Sequence, residues 1–300
     1  MSEVKLYLGD CIDILPTIKS ASVDCVISDP PYPEIDRDYG RITEVNWMAM
    51  MQKVVRQSRR ILKPTGSAVF ILQPNSSKVG SMRPWLYEFQ AWCCREWNII
   101  QDVYWWNTTA LPMANCGNGR GLLRPAGKPC VWIGESDCYR DQSKILLEPS
   151  QSTKTANLED KFLRHKPSGA HDRHGRMAAT ALERGGSTPF NVLPIQNSYD
   201  PSSAGAHGHG AGTPQALSDW WTRYLCPPGG TVLDPFTGSG TMGLSALKYG
   251  CKFIGIERYE QHFNTASHRL LSAEREVTGQ PKQLTGHESD LSDMPLFAAS

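Results

Sequence analysis

"VLDPFTGSGTMG", residues 232–243, reads as an apolar strand, a glycine turn and the opening of a helix. Gly238, Gly240 and Gly243 fit G-x-G-x-x-G, and Glu257 tips the apolar run that follows, residues 252–257. Glycines at this spacing let a ligand come close to backbone at a helix start, and the acid accepts from ribose hydroxyls. Taken alone this is the dinucleotide fingerprint, and an NAD-dependent oxidoreductase is one reading of it. Asp234 argues against that reading, because it ends the strand where a pyrophosphate would meet its negative charge. Pro235 and Phe236 then stiffen the turn. A cofactor without phosphates but with a ribose and a cationic group suits the loop better. S-adenosylmethionine (SAM) is such a cofactor: it carries a ribose, an ammonium and a sulfonium.

Working outward from this stretch, apolar strands alternate with helical patterns. Residues 4–8, 23–28, 67–72, 99–107 and 129–134 read as strands on one side of it, and 252–257 on the other. Residues 45–63 carry apolar side chains at helical spacing, stopped by Pro64 and Gly66. Residues 216–225, 241–250 and 259–276 read as helices. Continuous apolar strands separated by helices predict an α/β fold, a mostly parallel doubly wound sheet covered on both faces, with one antiparallel hairpin strand. From 139 to 212 the texture turns polar and rich in Ser, Gly, His and basic residues, which marks an inserted segment. The predicted organisation is therefore a half-domain at 1–138, the insertion at 139–212, a second half of the same domain at 213–277, and a flexible tail at 278–300.

Composition bounds the function. The 300 residues are 40% hydrophobic and 20% charged, with a net charge of +1, so any nucleic-acid site must come from local patches. There is no run of apolar residues long enough for a membrane span and no signal-peptide pattern at the N-terminus, so the expected location is the cytoplasm. Nine cysteines without CxxC pairs read as free thiols. His171, His174, His207 and His209 lack cysteine partners at finger spacing, so no metal site is expected. Cys130 opens an apolar strand and reads as structural.

A second stretch, "VISDPPYP" at residues 26–33, ends an apolar strand in a stiff aromatic turn. Two adjacent prolines cannot lie inside a central strand or helix, since neither has an N–H to donate. The chemistry of an exocyclic amine on a base accounts for such a turn. Its lone pair is delocalised into the ring, so the nitrogen is a poor nucleophile. Acceptors held against its two N–H bonds localise that lone pair and offset the positive charge developing on methylation. Asp29 supplies one acceptor and the Pro30 carbonyl the other. Pro30 and Pro31 hold that carbonyl rigid at low entropic cost, and Tyr32 offers a flat face to a base lifted out of the duplex.

"DPPY" together with "DPFTGSGT" resembles the SAM-dependent DNA amino-methyltransferases, which methylate adenine N6 or cytosine N4. "GDCIDIL" (9–15), "RRILKPTGSAVFIL" (59–72), "VYWWN" (103–107) and "FIGIERYEQHFNTASHRL" (253–270) resemble further segments of that family. The catalytic motif precedes the cofactor loop, as in the circularly permuted β group, whose target-recognition segment lies between the two. The resemblance implies catalytic roles for Asp29, Pro30, Pro31 and Tyr32. It implies cofactor contacts from Asp10, Thr213, Asp234, Pro235, Phe236, Gly238, Ser239, Gly240, Thr241 and Glu257. Asp10 reads equally as a helix N-cap. Where the family has a His-Pro-Thr-x-Lys-Pro segment, this chain has "AGTPQAL" (211–217), with Gln215 in place of the lysine.

The implied partner is double-stranded DNA, acted on by base flipping in a restriction-modification setting. Lys161, Arg164, Lys166, Arg173 and Arg176 are the candidate phosphate contacts. Asp at position 29 leans slightly to adenine, with cytosine N4 the alternative by the same chemistry. A catalytically silent DNA-binding protein of the same fold is a further reading. Dimerisation is common in the resembling family, so a homodimer is an open option. The end of the tail, Asp293 to Phe297, resembles a sliding-clamp binding peptide, although an untethered tail accounts for it as well. The resembling proteins are bacterial or phage-encoded and nucleoid-associated when acting.

Overall fold

The computed structural model describes residues 3–36, 40–110, 121–149, 154, 164–165, 171–172, 180–197 and 212–278. Residues Met1–Arg140 and Asn191–Ser300 form one compact unit, and Asp141–Phe190 forms a second.

The first unit is built on an eight-stranded sheet. Its strands are β1 (Val4–Leu8), β2 (Val23–Ser28), β3 (Leu62–Ile71), β6 (Ile99–Asn107), β7 (Gly127–Gly134), β10 (Val192–Ile195), β11 (Thr231–Asp234) and β12 (Lys252–Glu257). β4 (Ser76–Lys78) and β5 (Ser81–Met82) form a small antiparallel hairpin, and β8 (Arg164–His165) and β9 (His171–Asp172) pair antiparallel in the second unit. The sheet order is β1-β12-β11-β2-β3-β7-β6-β10. Neighbours run parallel except at β7, which is antiparallel to both β3 and β6. The predicted antiparallel hairpin is thus β6–β7.

Among the described residues of this unit, six helices flank the sheet: α1 (Cys11–Ile14), α2 (Glu44–Ile61), α3 (Trp85–Glu96), α4 (Gln215–Leu225), α5 (Thr241–Lys248) and α6 (Glu260–Thr278). All six residues of β2 are buried, and they alternate between two cores. Val26 joins the cluster with α2 and α3, while Cys25 and Ile27 join the cluster with α4, α5 and α6. β3 does the same, with Phe70 on one face and Val69 and Ile71 on the other. Strands buried on both faces need apolar residues at successive positions, hence the apolar runs 25–27 and 68–71. α2 needs only one apolar stripe, and its buried residues Trp47, Met51, Val54, Val55, Ser58 and Ile61 recur at helical spacing. Thr43 caps it by accepting from the Asn46 N–H.

Three features differ most from the sequence reading. β3 begins at Leu62, directly after α2, and not at Ser67: the pairing Val23↔Leu62 forms before a register shift accommodates the Pro64–Gly66 stretch. α3 is absent from the sequence reading; its Trp85 is buried against Trp47 in an edge-to-face contact at 4.6 Å. The insertion expected to run to residue 212 is interrupted, because Val192–Ile195 pairs in parallel with β6 as an edge strand of the main sheet. Pro194 is tolerated there because an edge strand has a side without a ladder partner.

The second unit contains a 3-10 turn at Gln142–Lys144 and an antiparallel bridge between Leu147 and Ser187. Arg164 lies in β8, and the placement of its side chain is outside the description; Lys161, Lys166, Arg173, Arg176 and the Asp293 to Phe297 tail lie outside the described residues. No described helix is long and apolar enough to cross a membrane.

Candidate active site

Parallel strands deliver their C-terminal ends to one rim of the sheet, where open α/β folds place ligands. Here β2 ends at Ser28 beside β11, which ends at Asp234, and β12 beyond it ends at Glu257. Two motifs about two hundred residues apart in the chain become neighbours through one strand pairing, Val232↔Cys25 and Leu233↔Val26.

The glycine loop is fixed at several points. Gly238 (φ 54°) and Gly240 (φ 87°) take left-handed conformations that favour glycine, and Gly240 is the residue before α5. Glu257 accepts from the Gly238 N–H at 2.8 Å through one carboxylate oxygen and from the Tyr259 N–H at 2.9 Å through the other. Its carbonyl accepts from the Gly9 N–H at 2.8 Å, which ties in the turn after β1. Thr237 donates its hydroxyl to the Asp234 carbonyl and its N–H to the Ile256 carbonyl, both at 3.0 Å. Arg269, from α6, donates to the Ser239 carbonyl at 2.6 Å and to its hydroxyl oxygen at 2.9 Å. Asp10 caps α1 through the Ile12 N–H at 2.9 Å and pairs with Arg258 at 3.5 Å, so the N-cap alternative is realised. Phe236 is partly buried and packs against the core on the α2 side.

Asp234 is 2% exposed. It accepts from the Ser28 hydroxyl at 2.5 Å and the Phe236 N–H at 3.0 Å. Burial pushes its carboxyl up to about 7, against the lowering effect of those two donors and with help from the charges of Asp29 and Glu257. Burial likewise raises Glu257. A strand rim with this many carboxyl groups disfavours a pyrophosphate and favours a positively charged ligand. Glu257 at the strand tip retains lone pairs for ribose hydroxyls beyond the two backbone bonds it accepts. The side chains present therefore fit SAM.

Asp29 begins the stiff turn. Its Oδ1 accepts from the Tyr32 hydroxyl, and its Oδ2 accepts from the Thr213 hydroxyl at 2.6 Å. Thr213, expected as a cofactor contact, is thus brought to Asp29. Gln215 turns away from the turn and bonds α5 at Ser245, at 2.6 Å, with Asp219 at 3.0 Å. Pro30 is buried, and among the described residues nothing donates to its carbonyl. Tyr32 is buried in the core on the α2 side. The Trp47 indole donates to the Pro31 carbonyl at 2.5 Å, and Asn75 donates to the Pro33 carbonyl at 2.7 Å while accepting from the Trp85 indole. Cys130 is buried, its thiol pushed up to about 12 by burial, which removes it from nucleophilic chemistry.

Ser28, Trp47, Asn75 and Arg269 escaped the sequence reading. Ser28 alone carried a signal, since it directly precedes the turn. The other three reach the site from other elements, and nothing local marks them.

The model of the N6/N4 DNA methylase family matches residues 23–268. The chain is 25% identical to the Type II methyltransferase M.PvuII of Proteus hauseri, an alignment covering 96% of this chain and 90% of that one. Its fold is similar to that of the PvuII cytosine-N4-specific DNA methyltransferase, with a TM-score of 0.69, 21% identity and coverage of 93% and 91%. It is also similar to TTHA0409 of Thermus thermophilus complexed with S-adenosyl-L-methionine, with a TM-score of 0.56, 19% identity and coverage of 94% and 99%. The chain belongs to the N6/N4 DNA methylase family and is a SAM-dependent DNA amino-methyltransferase.

Proposed function

We propose that the chain methylates an exocyclic amine at a specific duplex site, with Asp29 and the Pro30 carbonyl as the two acceptors of that amine. The observation that carries this reading is the Ser28–Asp234 contact, which sets the acceptor turn directly beside the cofactor loop. Bound SAM supplies a methyl group made electrophilic by its sulfonium. Asp29 and Pro30 orient the amine and draw its lone pair toward the reacting direction. Pro31, held by Trp47, keeps the acceptor carbonyl in place. Tyr32, 8% exposed, is the ring proposed to stack on a flipped base. Asp10, Asp234 through Thr241, and Glu257 hold the cofactor, Asp234 by charge and Glu257 by its oxygens.

Two target bases have support. Asp at position 29 favours adenine N6, and similarity to a cytosine-N4-specific enzyme favours cytosine N4. The second unit, residues 141–190, is the proposed target-recognition segment, with Lys161, Arg164, Lys166, Arg173 and Arg176 contacting phosphates. The Type II relative supports a restriction-modification setting. Work on DNA in such a setting supports a cytoplasmic location. A homodimer, and a sliding clamp held through Asp293 to Phe297, complete the proposed partners.

The test is to incubate the protein with labelled SAM and unmethylated bacterial genomic DNA, digest to nucleosides and identify the product by mass. N6-methyladenine or N4-methylcytosine is expected, and either one assigns the base. Asp29→Ala is expected to lose at least about a hundredfold in methylation while keeping SAM binding. Unchanged turnover in that variant overturns the role given to Asp29.

A further inference from the structure

Thr213 sits where the family resemblance suggests a cofactor contact, yet its hydroxyl is spent on Asp29 Oδ2 at 2.6 Å. Tyr32 spends its hydroxyl on Oδ1 of the same carboxylate. Donors on both oxygens fix the plane of the carboxylate as well as its direction, and a carboxylate oxygen is able to accept more than one bond. Thr213 is itself well placed to hold position, being 6% exposed. It lies two residues before α4, and α4 is tied to α5 by Gln215, which donates to the Ser245 hydroxyl oxygen at 2.6 Å. Ser218 of α4 also donates to the Thr241 carbonyl at 3.4 Å, at the first turn of the helix that follows the glycine loop. A short rigid path therefore runs from the cofactor helix through α4 and Thr213 to the acceptor carboxylate.

We propose that Thr213 is a positioning residue, which orients the Asp29 carboxylate for the incoming amine and acts on methyl transfer through Asp29, in place of a cofactor contact. This rests on the reading of Asp29 as amine acceptor. Misplacing an acceptor by about 1 Å costs on the order of a hundredfold in rate without affecting groups bound elsewhere. The lysine position of the family segment points the same way: Gln215, which stands there, reaches α5.

The test uses the full-length protein, unmethylated bacterial genomic DNA and five forms: wild type, Thr213→Val, Thr213→Ser, Asp29→Ala and the Thr213→Val/Asp29→Ala double variant. Three quantities are read: kcat for methylation, SAM Kd by calorimetry without DNA, and the melting temperature. For Thr213→Val, kcat is expected to fall about 10- to 100-fold, with SAM Kd within about twofold of wild type. Thr213→Ser, which restores the hydroxyl, is expected to recover kcat to within about threefold. The melting temperature is expected to drop on Thr213→Val in the wild-type background and to stay unchanged in the Asp29→Ala background, because the lost contact is the same one. A tenfold rise in SAM Kd with kcat preserved at saturation would overturn the proposal. So would a serine variant as slow as the valine one, or an equal melting shift in both backgrounds. Should wild type leave no methylated base in DNA, the functional reading fails, while SAM Kd and the melting cycle still judge the Thr213–Asp29 link.

Discussion

Ser28 donates its hydroxyl to Asp234 across 2.5 Å, joining the end of β2 to the end of β11. The bond favours the ionised carboxylate, and burial opposes it strongly enough to leave Asp234 titrating at about 7. The sign of the consequence for stability is definite. The folded-state value lies above the ordinary 3.8, so between about pH 4 and 7 the folded chain binds more protons than the unfolded one. Without cofactor, stability is expected to fall as pH rises through that window, by at most about tenfold in the folding equilibrium per pH unit, and to level off above it. SAM binding is expected to run the other way, tightening up to pH 7 as the carboxylate ionises beneath a cationic ligand. Ser28→Ala removes a lowering contact, so both curves should shift to higher pH; Asp234→Asn should flatten them. Denaturant melts and calorimetric SAM titrations from pH 5 to 9 test the pair. A pH-independent affinity in wild type contradicts the charge role given to Asp234.

Trp47 is fully buried, and its indole N–H serves the Pro31 carbonyl. Trp47→Phe keeps a ring against Trp85 and Phe89 but leaves that carbonyl without its donor. The expected cost is about 1–3 kcal/mol of stability. Methylation should drop further than SAM binding, because the loosened carbonyl lies in the acceptor turn. Equal losses in both would mean that Trp47 serves packing alone.

Arg269 holds the glycine loop from behind through Ser239. Arg269→Ala is expected to raise the KM for SAM about tenfold or more, the equivalent of losing a charged hydrogen bond of about 1.5 kcal/mol or more. At saturating SAM, kcat should remain near wild type. Initial rates over a SAM titration separate this from the pattern expected of Thr213→Val. A lowered kcat with unchanged KM would reassign Arg269 to the acceptor side.

Gly255 lies in β12 beneath the loop. A Cβ there would meet Leu6 Cδ2 and Thr237 Oγ1, both at 2.6 Å. Thr237 is anchored to Asp234 and Ile256, so it has little room to give. Gly255→Ala is expected to destabilise by about 1–3 kcal/mol and to weaken SAM binding through the displaced loop. A melting temperature equal to that of wild type would show the sheet yielding where the packing says it cannot.

The sequence made β2, β11 and β12 legible because burial on both faces demands largely apolar runs. β1 and β6 are less buried, and they too fall on the residues that the pattern marks. β10 was illegible for the opposite reason: four residues, one of them Pro194, inside polar surroundings give no such run. β3 started early because the Pro64–Gly66 breaker, which does end a helix, falls within a strand that a bulge allows to continue. Within the site, motifs local in sequence could be read, down to Asp29, Asp234 and Glu257. The contacts that orient them could not, since Thr213 meets Asp29 across 184 positions and Ser28 meets Asp234 across 206. Hydroxyls and indoles that act at such range carry no local signature.

β11 lies between β12 and β2, and β1 pairs with β12 alone. A ribosome that has made only residues up to 140 therefore carries a nascent chain whose acceptor strand has one bare edge and whose first strand has no neighbour. Such edges recruit other strands, and they stay open until the last third of the message has been translated. A chain ending between residues 140 and 231 therefore keeps β2 with that edge bare, and loses the sheet's cofactor half whole in place of being merely weakened.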